Sequence, residues 1–337
     1  MKRLKNITVV YNLPETDLVA DWDTVETAKT ITNILTEASY EVEDLGIRKN
    51  QISVLGEVKT DLVFNLLEWG SKDWVYVIKA LKLMENKGMC YTGSDSTGSR
   101  IGADKVLMKS IMSRRGIPTP KWQVFENAGG KIEPIPYPAI VKPVYEHCSI
   151  GVDQKSIVNN KTELRDRVGQ MVEKYGQPVL VEEYIEGREL HVTVFEKRGR
   201  PWVLPAAEVV FEKAEGFVPV LSYSGKWQKE TSEYSLSTAR LAQLDDRLTE
   251  RLKRIAQRCY RQLRGRDYTR LDVRIRGEQI WVLEMNHNPG LDFYEDGDVG
   301  VAARAAGFES YAQVVKYLAE NAYRRWVERR WRDTAVV

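Results

Sequence analysis

The chain has 337 residues, is 43% hydrophobic, and carries 50 Lys plus Arg against 48 Asp plus Glu, a formal charge of +2. At roughly 150 residues per domain this length suggests two domains or three small ones. The apolar share excludes a fully disordered chain, and near-neutrality gives no overall pull toward nucleic acid or an anionic membrane.

The pattern opens with alternating strand and helix. Ile7 to Tyr11 is a short β-branched run, far below membrane-spanning length. Basic Lys2, Arg3 and Lys5 precede no apolar segment of signal-peptide length, so the expected location is the cytoplasm. Thr24 offers a helix cap, and Val25, Ala28, Ile31 and Leu35 recur at helical spacing. Asp61 to Leu67 reads as a second strand, Val77 to Met84 as a helix ending near Gly88, and Met89 to Thr92 as a strand. Such alternation predicts a parallel sheet covered on both faces. The Gly-, Ser- and Thr-rich stretch from Gly93 to Gly102 suggests a boundary, with a helix from Ala103 to Arg115 stopped at Gly116-Ile117-Pro118. Further strands are expected at Pro138–Pro143, Val179–Ile185, Glu189–Phe195 and Pro201–Val210. A helix follows with Leu248, Leu252, Ile255, Cys259 and Leu263 on one stripe. Then come a hairpin of Leu271–Ile275 and Ile280–Met285, and a last helix with Tyr311, Val314, Val315, Leu318 and Ala322 on one face.

Cys90, Cys148 and Cys259 lie far apart, as do His147, His191 and His287, which argues against a disulfide framework or a zinc ribbon. The hairpin carries the strongest chemical signal. Asp272 and Glu284 fall on adjacent strands, and Asn286, two residues after Glu284, shares its face. Two carboxylates and an amide oxygen are hard donors suited to Mg²⁺, though solvated strand ends have the same composition. Lys142, at a strand end before Pro143, reads either as a phosphate contact or as a surface lysine. The loop from Glu146 to Gly151 has small residues whose N–H groups can face an anion, but no P-loop motif occurs in the chain. Glu182-Glu183-Tyr184-Ile185, with Glu189 beyond, reads as an adenine and ribose edge or as an exposed acidic one. The basic, aromatic stretch from Arg324 to Arg332 reads as a nucleic-acid patch or as a solvated helix end with Trp packed inward, and the second reading excludes a nucleic-acid partner.

In order, Tyr91-Thr92-Gly93-Ser94, Asp104-Lys105, Gly116-Ile117-Pro118-Thr119-Pro120, Val141-Lys142-Pro143, Val181-Glu182-Glu183-Tyr184, Arg270-Leu271-Asp272 and Glu284-Met285-Asn286 resemble the ATP-grasp superfamily, and within it the D-alanine–D-alanine ligase family. The resemblance runs from Val9 to about Leu318. It implies an α/β N-terminal parallel-sheet domain over residues 1–97. Two α+β ATP-grasp subdomains, 98–185 and 186–337, would follow, with ATP between them.

It implies that Lys105 and Lys142 contact phosphates, and that Glu146 to Gly151 form a covering loop in which Glu146 and Ile150 meet ATP and Ser149 joins the catalytic set. Glu182, Glu183, Tyr184 and Ile185 would face adenine, and Glu189 the ribose. Lys226, in a second covering loop, would meet the γ-phosphate. Asp272, Glu284 and Asn286 would hold two Mg²⁺ (or Mn²⁺), and Arg270 would face the oxyanion of a tetrahedral intermediate.

The implied reaction joins a small-molecule carboxylate to an amine through an acyl phosphate, releasing ADP and phosphate, in an enzyme of the cytoplasm with no membrane partner that the family often forms as a homodimer. A D-alanine–D-alanine ligase proper and a small-molecule kinase are the alternatives. The chain departs from the family where substrates bind. The N-terminal loop lacks a Gly pair, so Asp21 or Asp23 would take the first ammonium, and Glu68 replaces a His. Cys148 replaces a Ser, and either is a reactive thiol or a small loop residue. Tyr223 lies by the second covering loop. Asp292 and Glu295 stand where a Ser-rich segment would hold the acceptor carboxylate, which points to a cationic or hydroxylated acceptor rather than D-alanine.

Overall fold

The computed structural model describes residues 3–15, 19–291 and 297–335, without the side chains of residues 19–21 and 332–335. The first sheet is three-stranded and parallel. β1 (Asn6–Asn12) is followed by α1 (Val19–Glu37), β2 (Glu41–Ile47), β3 (Leu62–Asn65) and α2 (Trp74–Asn86), in strand order β2-β1-β3. The central β1 is buried over nearly its whole length because both its faces are covered, which is why its sequence is a β-branched run. The edge strand β2, Glu-Val-Glu-Asp-Leu-Gly-Ile, keeps its charges in solvent and so shows no apolar signal to a reader of the sequence. Two expectations need correction. The first helix begins at Val19, ahead of Thr24, and Met89 to Thr92 forms only a single bridge, Tyr91 to Val63.

Two short helices come next, α3 (Ser96–Ala103) and α4 (Lys105–Arg114). The single helix expected over Ala103–Arg115 starts later because Asp104 turns extended and caps α4, accepting from the Leu107 amide at 3.0 Å. The Gly-rich stretch before it is helical too, capped by Asp95. Gly102 is required in α3, since a Cβ there would stand 2.5 Å from the His287 ring. The second sheet is antiparallel and contains β4 (Trp122–Phe125), β5 (Ala139–Pro143), β6 (Ile157–Val158) and β7 (Val179–Glu183) in order β4-β7-β5-β6. It is backed by α5 (Lys161–Tyr175) through Leu164, Val168 and Met171.

The third sheet has six strands: β8 (Arg188–Lys197), β9 (Arg200–Val203), β10 (Ala207–Phe211), β11 (Ser237–Leu241), β12 (Tyr268–Arg276) and β13 (Gln279–Asn286). Its order is β11-β10-β8-β12-β13, with β9 paired to the far end of β8. The short α6 (Tyr223–Trp227) and α7 (Ser232–Ser235) lie between β10 and β11, and α8 (Asp246–Gln262) seals one face with Leu248, Leu252, Ala256 and Cys259. The remaining helices are α9 (Asp298–Ala305) and α10 (Tyr311–Ala335), which pack with α1 into the core of the first sheet. Trp326 packs against that core and Arg325 pairs with buried Asp267 at 2.8 Å, while residues 328–331 beyond them are exposed, so the stretch is a docked Trp326 followed by a solvated end. None of the described helices is long and apolar enough to cross a membrane.

Candidate active site

A cavity of about 1370 Å³, counting its open mouth, lies between the second and third sheets. Its floor is the β12–β13 hairpin. Register pairs Asp272 with Glu284 and Arg270 with Asn286, and the two-residue spacing on each strand turns all four side chains to one face. Arg270 grips Asp272 with both arms, Nε to Oδ1 at 2.7 Å and Nη2 to Oδ2 at 3.0 Å, and Asn286 Nδ2 lies 3.2 Å from the same carboxylate. Lys105, the first residue of α4, holds the Glu146 carbonyl and reaches within 3.7 Å of Glu284. Burial pushes both carboxyls toward neutrality. Arg270 and His191 at Asp272, and Lys105 and Lys142 at Glu284, outweigh it and keep them ionised.

Behind the hairpin stand residues that the sequence reading passed over. His191 on β8 is in register with Asp272, puts Nδ1 2.5 Å from Asp298, and puts Nε2 3.6 Å from Glu189 and 3.8 Å from Asp272. Burial alone would deprotonate it. Asp298 and Asp272 instead raise its pKa to about 10, so it is an imidazolium at neutral pH. Arg274, two residues past Asp272, pairs with Glu189. Both had a signal in the sequence. His191 lies two residues from Glu189, and Arg274 two from Asp272, on strands already picked out.

Lys142 on β5 meets Glu182 on β7 at 2.5 Å, and Lys109 on α4 meets the same carboxylate from the other side. Glu182 is only 1% exposed and Lys109 1% exposed. Lys109, four residues after Lys105 and so on the same helical face, also went unread. Glu183, Tyr184, Ile185 and Glu189 line the cavity next to this trio, with the Tyr184 hydroxyl donating to the Pro219 carbonyl at 2.6 Å.

The two loops expected to cover the site touch each other. Cys148 and Ser149 adopt positive φ, the Trp227 indole donates to the Cys148 carbonyl at 3.0 Å, and the Tyr223 amide donates to the Val152 carbonyl at 3.0 Å. Glu146, Ser149, Ile150 and Lys226 face the cavity, and Lys226 stacks over Trp227 at 5.1 Å. Asp23 and Glu68 are brought to the same end. Burial raises the Asp23 pKa against the opposing charge of Lys226. Tyr223 is not among the residues lining this cavity, contrary to expectation, because α6 turns Lys226 and Trp227 inward instead. Burial pushes the Cys148 thiol up to about 12, which favours the small loop residue over the reactive thiol. Asp292, Glu295 and the side chain of Asp21 lie outside the described residues.

Asp272, Glu284 and Asn286 suit Mg²⁺ in donor type and in ionised state. Among the described residues no cluster of three His, Cys, Asp or Glu is arranged to hold an ion. That fits an ion which takes one or two carboxylates and completes its shell with phosphate oxygens and water. The ring of Lys105, Lys142 and Arg270 around the carboxylates is matched to a polyanion.

Residues 111–320 match the family model described as D-ala D-ala ligase C-terminus. A D-alanine–D-alanine ligase of Aquifex aeolicus is 32% identical over 272 residues, covering 79% of this chain and 85% of that one. An uncharacterized protein, y4sG, of Sinorhizobium fredii is 32% identical over 266 residues, covering 79% and 75%. In architecture the chain is similar to the crystal structure of D-alanine–D-alanine ligase from Bacillus anthracis, with a TM-score of 0.76 at 22% identity over 96% of this chain and 99% of that one. The same ligase complexed with ATP gives a TM-score of 0.73. The fold is ATP-grasp, and the chain belongs to the D-alanine–D-alanine ligase family of ATP-dependent enzymes that form C–N bonds with ATP and Mg²⁺.

Proposed function

We propose that this chain joins an amino-acid-like carboxylate to an amine, with an acceptor other than D-alanine. What supports the ligation reading is the meeting of Arg270, Lys105 and Lys142 with Asp272, Glu284 and Asn286 in one cavity. ATP with Mg²⁺ supplies the phosphoryl group that turns a poor acyl donor into a reactive one. Asp272, Glu284 and Asn286 present the oxygen ligands, and Lys105 and Lys142 offset phosphate charge. Arg270, held by Asp272, offsets charge on the oxyanion formed when the amine attacks. Loop residues Cys148 and Trp227 close over the site and exclude water that would hydrolyse the activated acyl group. Asp23 and Glu68 form an acidic end for an ammonium group. The acidic sequence from Asp292 to Asp296 disfavours a free acceptor carboxylate, which motivates a cationic or hydroxylated amine. The expected three-part division at residues 97 and 185 and a cytoplasmic location belong to this proposal.

Incubation with Mg-ATP and panels of carboxylates and amines, followed by mass spectrometry, tests it. Amide that forms only when both partners are present, and more slowly with D-alanine as acceptor, is the expected result. A phosphorylated alcohol as product would make the protein a kinase, and efficient D-alanyl-D-alanine synthesis would remove the acceptor claim. Asp272→Asn and Glu284→Gln should each lower kcat by at least about 100-fold, with circular dichroism and melting close to wild type. Near-normal turnover in either would remove that residue from the metal site.

A further inference from the structure

A second cavity adjoins the first. It measures about 590 Å³ counting its open mouth, and Glu68, His147, Asn286 and Asn288 belong to the walls of both. Beyond that partition the walls become apolar and aromatic: Leu67, Trp69, Trp74, Val77 and Ile78. Trp69 is fixed edge-on to Tyr76, with ring centres 6.4 Å apart, and Trp74 leans on Tyr145 at 6.1 Å, so the aromatic walls are braced from behind.

The lining also carries Asn65, Ser99 and His287, and two of its polar atoms lack a partner. Trp69 Nε1 and Ser94 Oγ are both buried, in residues 6% and 2% exposed, and neither finds a hydrogen-bond partner among the described residues. An indole N–H can only donate, and a serine hydroxyl can donate as well. Buried donors without partners are rare because they forfeit water without replacement. Each of these atoms has under 1 Å² of accessible surface, so an acceptor inside the cavity meets them once the two side chains turn toward it. Glu68 is the one carboxylate in the wall among the described residues, and it stands at the partition rather than deep in the chamber.

We infer that this chamber takes the side chain of the donor substrate, and that the donor is an α-amino acid with a bulky apolar side chain, best an aromatic one bearing a hydrogen-bond acceptor such as a phenol oxygen. The inference rests on the ligase reading above. The carboxylate to be activated must lie beside the Asn286 end of the metal site. Glu68 at the partition can meet the ammonium of the same molecule. Among the described residues the second chamber opens from that point, with Trp69 and Ser94 in its wall. A methyl side chain would leave the chamber unfilled and both donors unanswered. Rejection of such a small side chain on these grounds is worth at least about tenfold in kcat/KM.

Amide formation is measured with alanine, leucine, phenylalanine and tyrosine, in both enantiomers, as donors under saturating Mg-ATP and one competent amine. Leucine, phenylalanine and tyrosine are expected to exceed alanine by at least about tenfold in kcat/KM, with tyrosine ahead of phenylalanine. Val77→Phe, which fills the chamber from α2, should remove that advantage. Ser94→Ala should erase the gap between tyrosine and phenylalanine. Alanine as the preferred donor, or bulky donors insensitive to both variants, overturns the inference while leaving the ligase reading intact, and means that the chamber holds water only. If no pair of substrates gives amide, the ligase reading fails by itself, and calorimetry with tyrosine and alanine in the presence of Mg-ADP decides the chamber. Tyrosine binding that is lost in Val77→Phe supports it, and no tyrosine binding to the wild type overturns it.

Discussion

Glu182 is a buried carboxylate shared by two lysines, and its position decides what Lys142 can do. With Lys109 taking one oxygen, Lys142 is held by the other and keeps donors to spare for an anion. Without Lys109, the whole charge of Glu182 would fall on Lys142 and draw it away from phosphate. Lys109→Met should therefore raise the KM for ATP by about tenfold, equivalent to about 1.4 kcal/mol, with a smaller change in kcat. Steady-state kinetics on a variant that retains its melting temperature checks this, and an unchanged KM would mean that Lys109 serves packing alone. The same logic describes the other half of the site. There His191 and Arg270 balance Asp298, Asp272 and Glu189, so that no charge in the buried cluster stands alone.

At the level of elements, short helices place these residues, and their ends are set by single side chains. Asp95 begins α3 by accepting from the Gly98 amide at 2.8 Å, and Arg264 joins it at 2.7 Å. Burial raises the Asp95 pKa, but the Arg264 and Gly98 bonds outweigh it and the net direction is down. A carboxyl lowered in the folded state contributes stability above its unfolded pKa, near 4, and that contribution is lost as pH falls through the folded value. Asp95→Asn keeps a capping oxygen but loses the charge. Because Arg264 is half exposed, the variant should cost only about 0.5–1 kcal/mol at pH 7. The gap to wild type should narrow as pH drops below about 4. Thermal melts of both proteins from pH 7 to 3 would show it, and a gap independent of pH would contradict the charge assignment.

On the scale of the whole molecule, the first sheet is fastened to the third by one buried acid. Asp267, at the start of β12, accepts from the Gly93 amide at 2.9 Å and pairs with Arg325 of α10, which also donates to the Tyr91 carbonyl at 3.0 Å. The Tyr91-Thr92-Gly93-Ser94 stretch that marks the family is thus a joint between the N-terminal sheet and the rest. Thr92 accepts from the Asn65 amide on one side, and Ser94 faces the second chamber on the other. Removing the charge of Asp267 leaves the part-buried Arg325 without its carboxylate, with only the Tyr91 carbonyl to meet it. Asp267→Asn, which tolerates the positive φ of this position, should lose about 3 kcal/mol in urea unfolding. A loss below about 1 kcal/mol would mean that the joint rests on the apolar contacts of α1 and α10.

By itself the sequence determined the family, the order of the main strands and helices, and the residue types of the phosphate and metal site. Those features are local: a β-branched run at Ile7–Tyr11, a two-residue step from Glu284 to Asn286, a helical stripe on α8. It did not disclose β2, whose charged residues sit on a solvated edge, nor the break at Asp104, where one cap divides two helices. Only the tertiary structure could bring His191 beside Asp298, 107 residues away, or set Lys109 against Glu182, because a buried charge is recognised by its partner and the partner is chosen by packing. The same holds for the chamber behind Glu68. Its walls come from β3, α2, α3 and the turn after β13, and an empty volume between elements leaves no mark on any one of them.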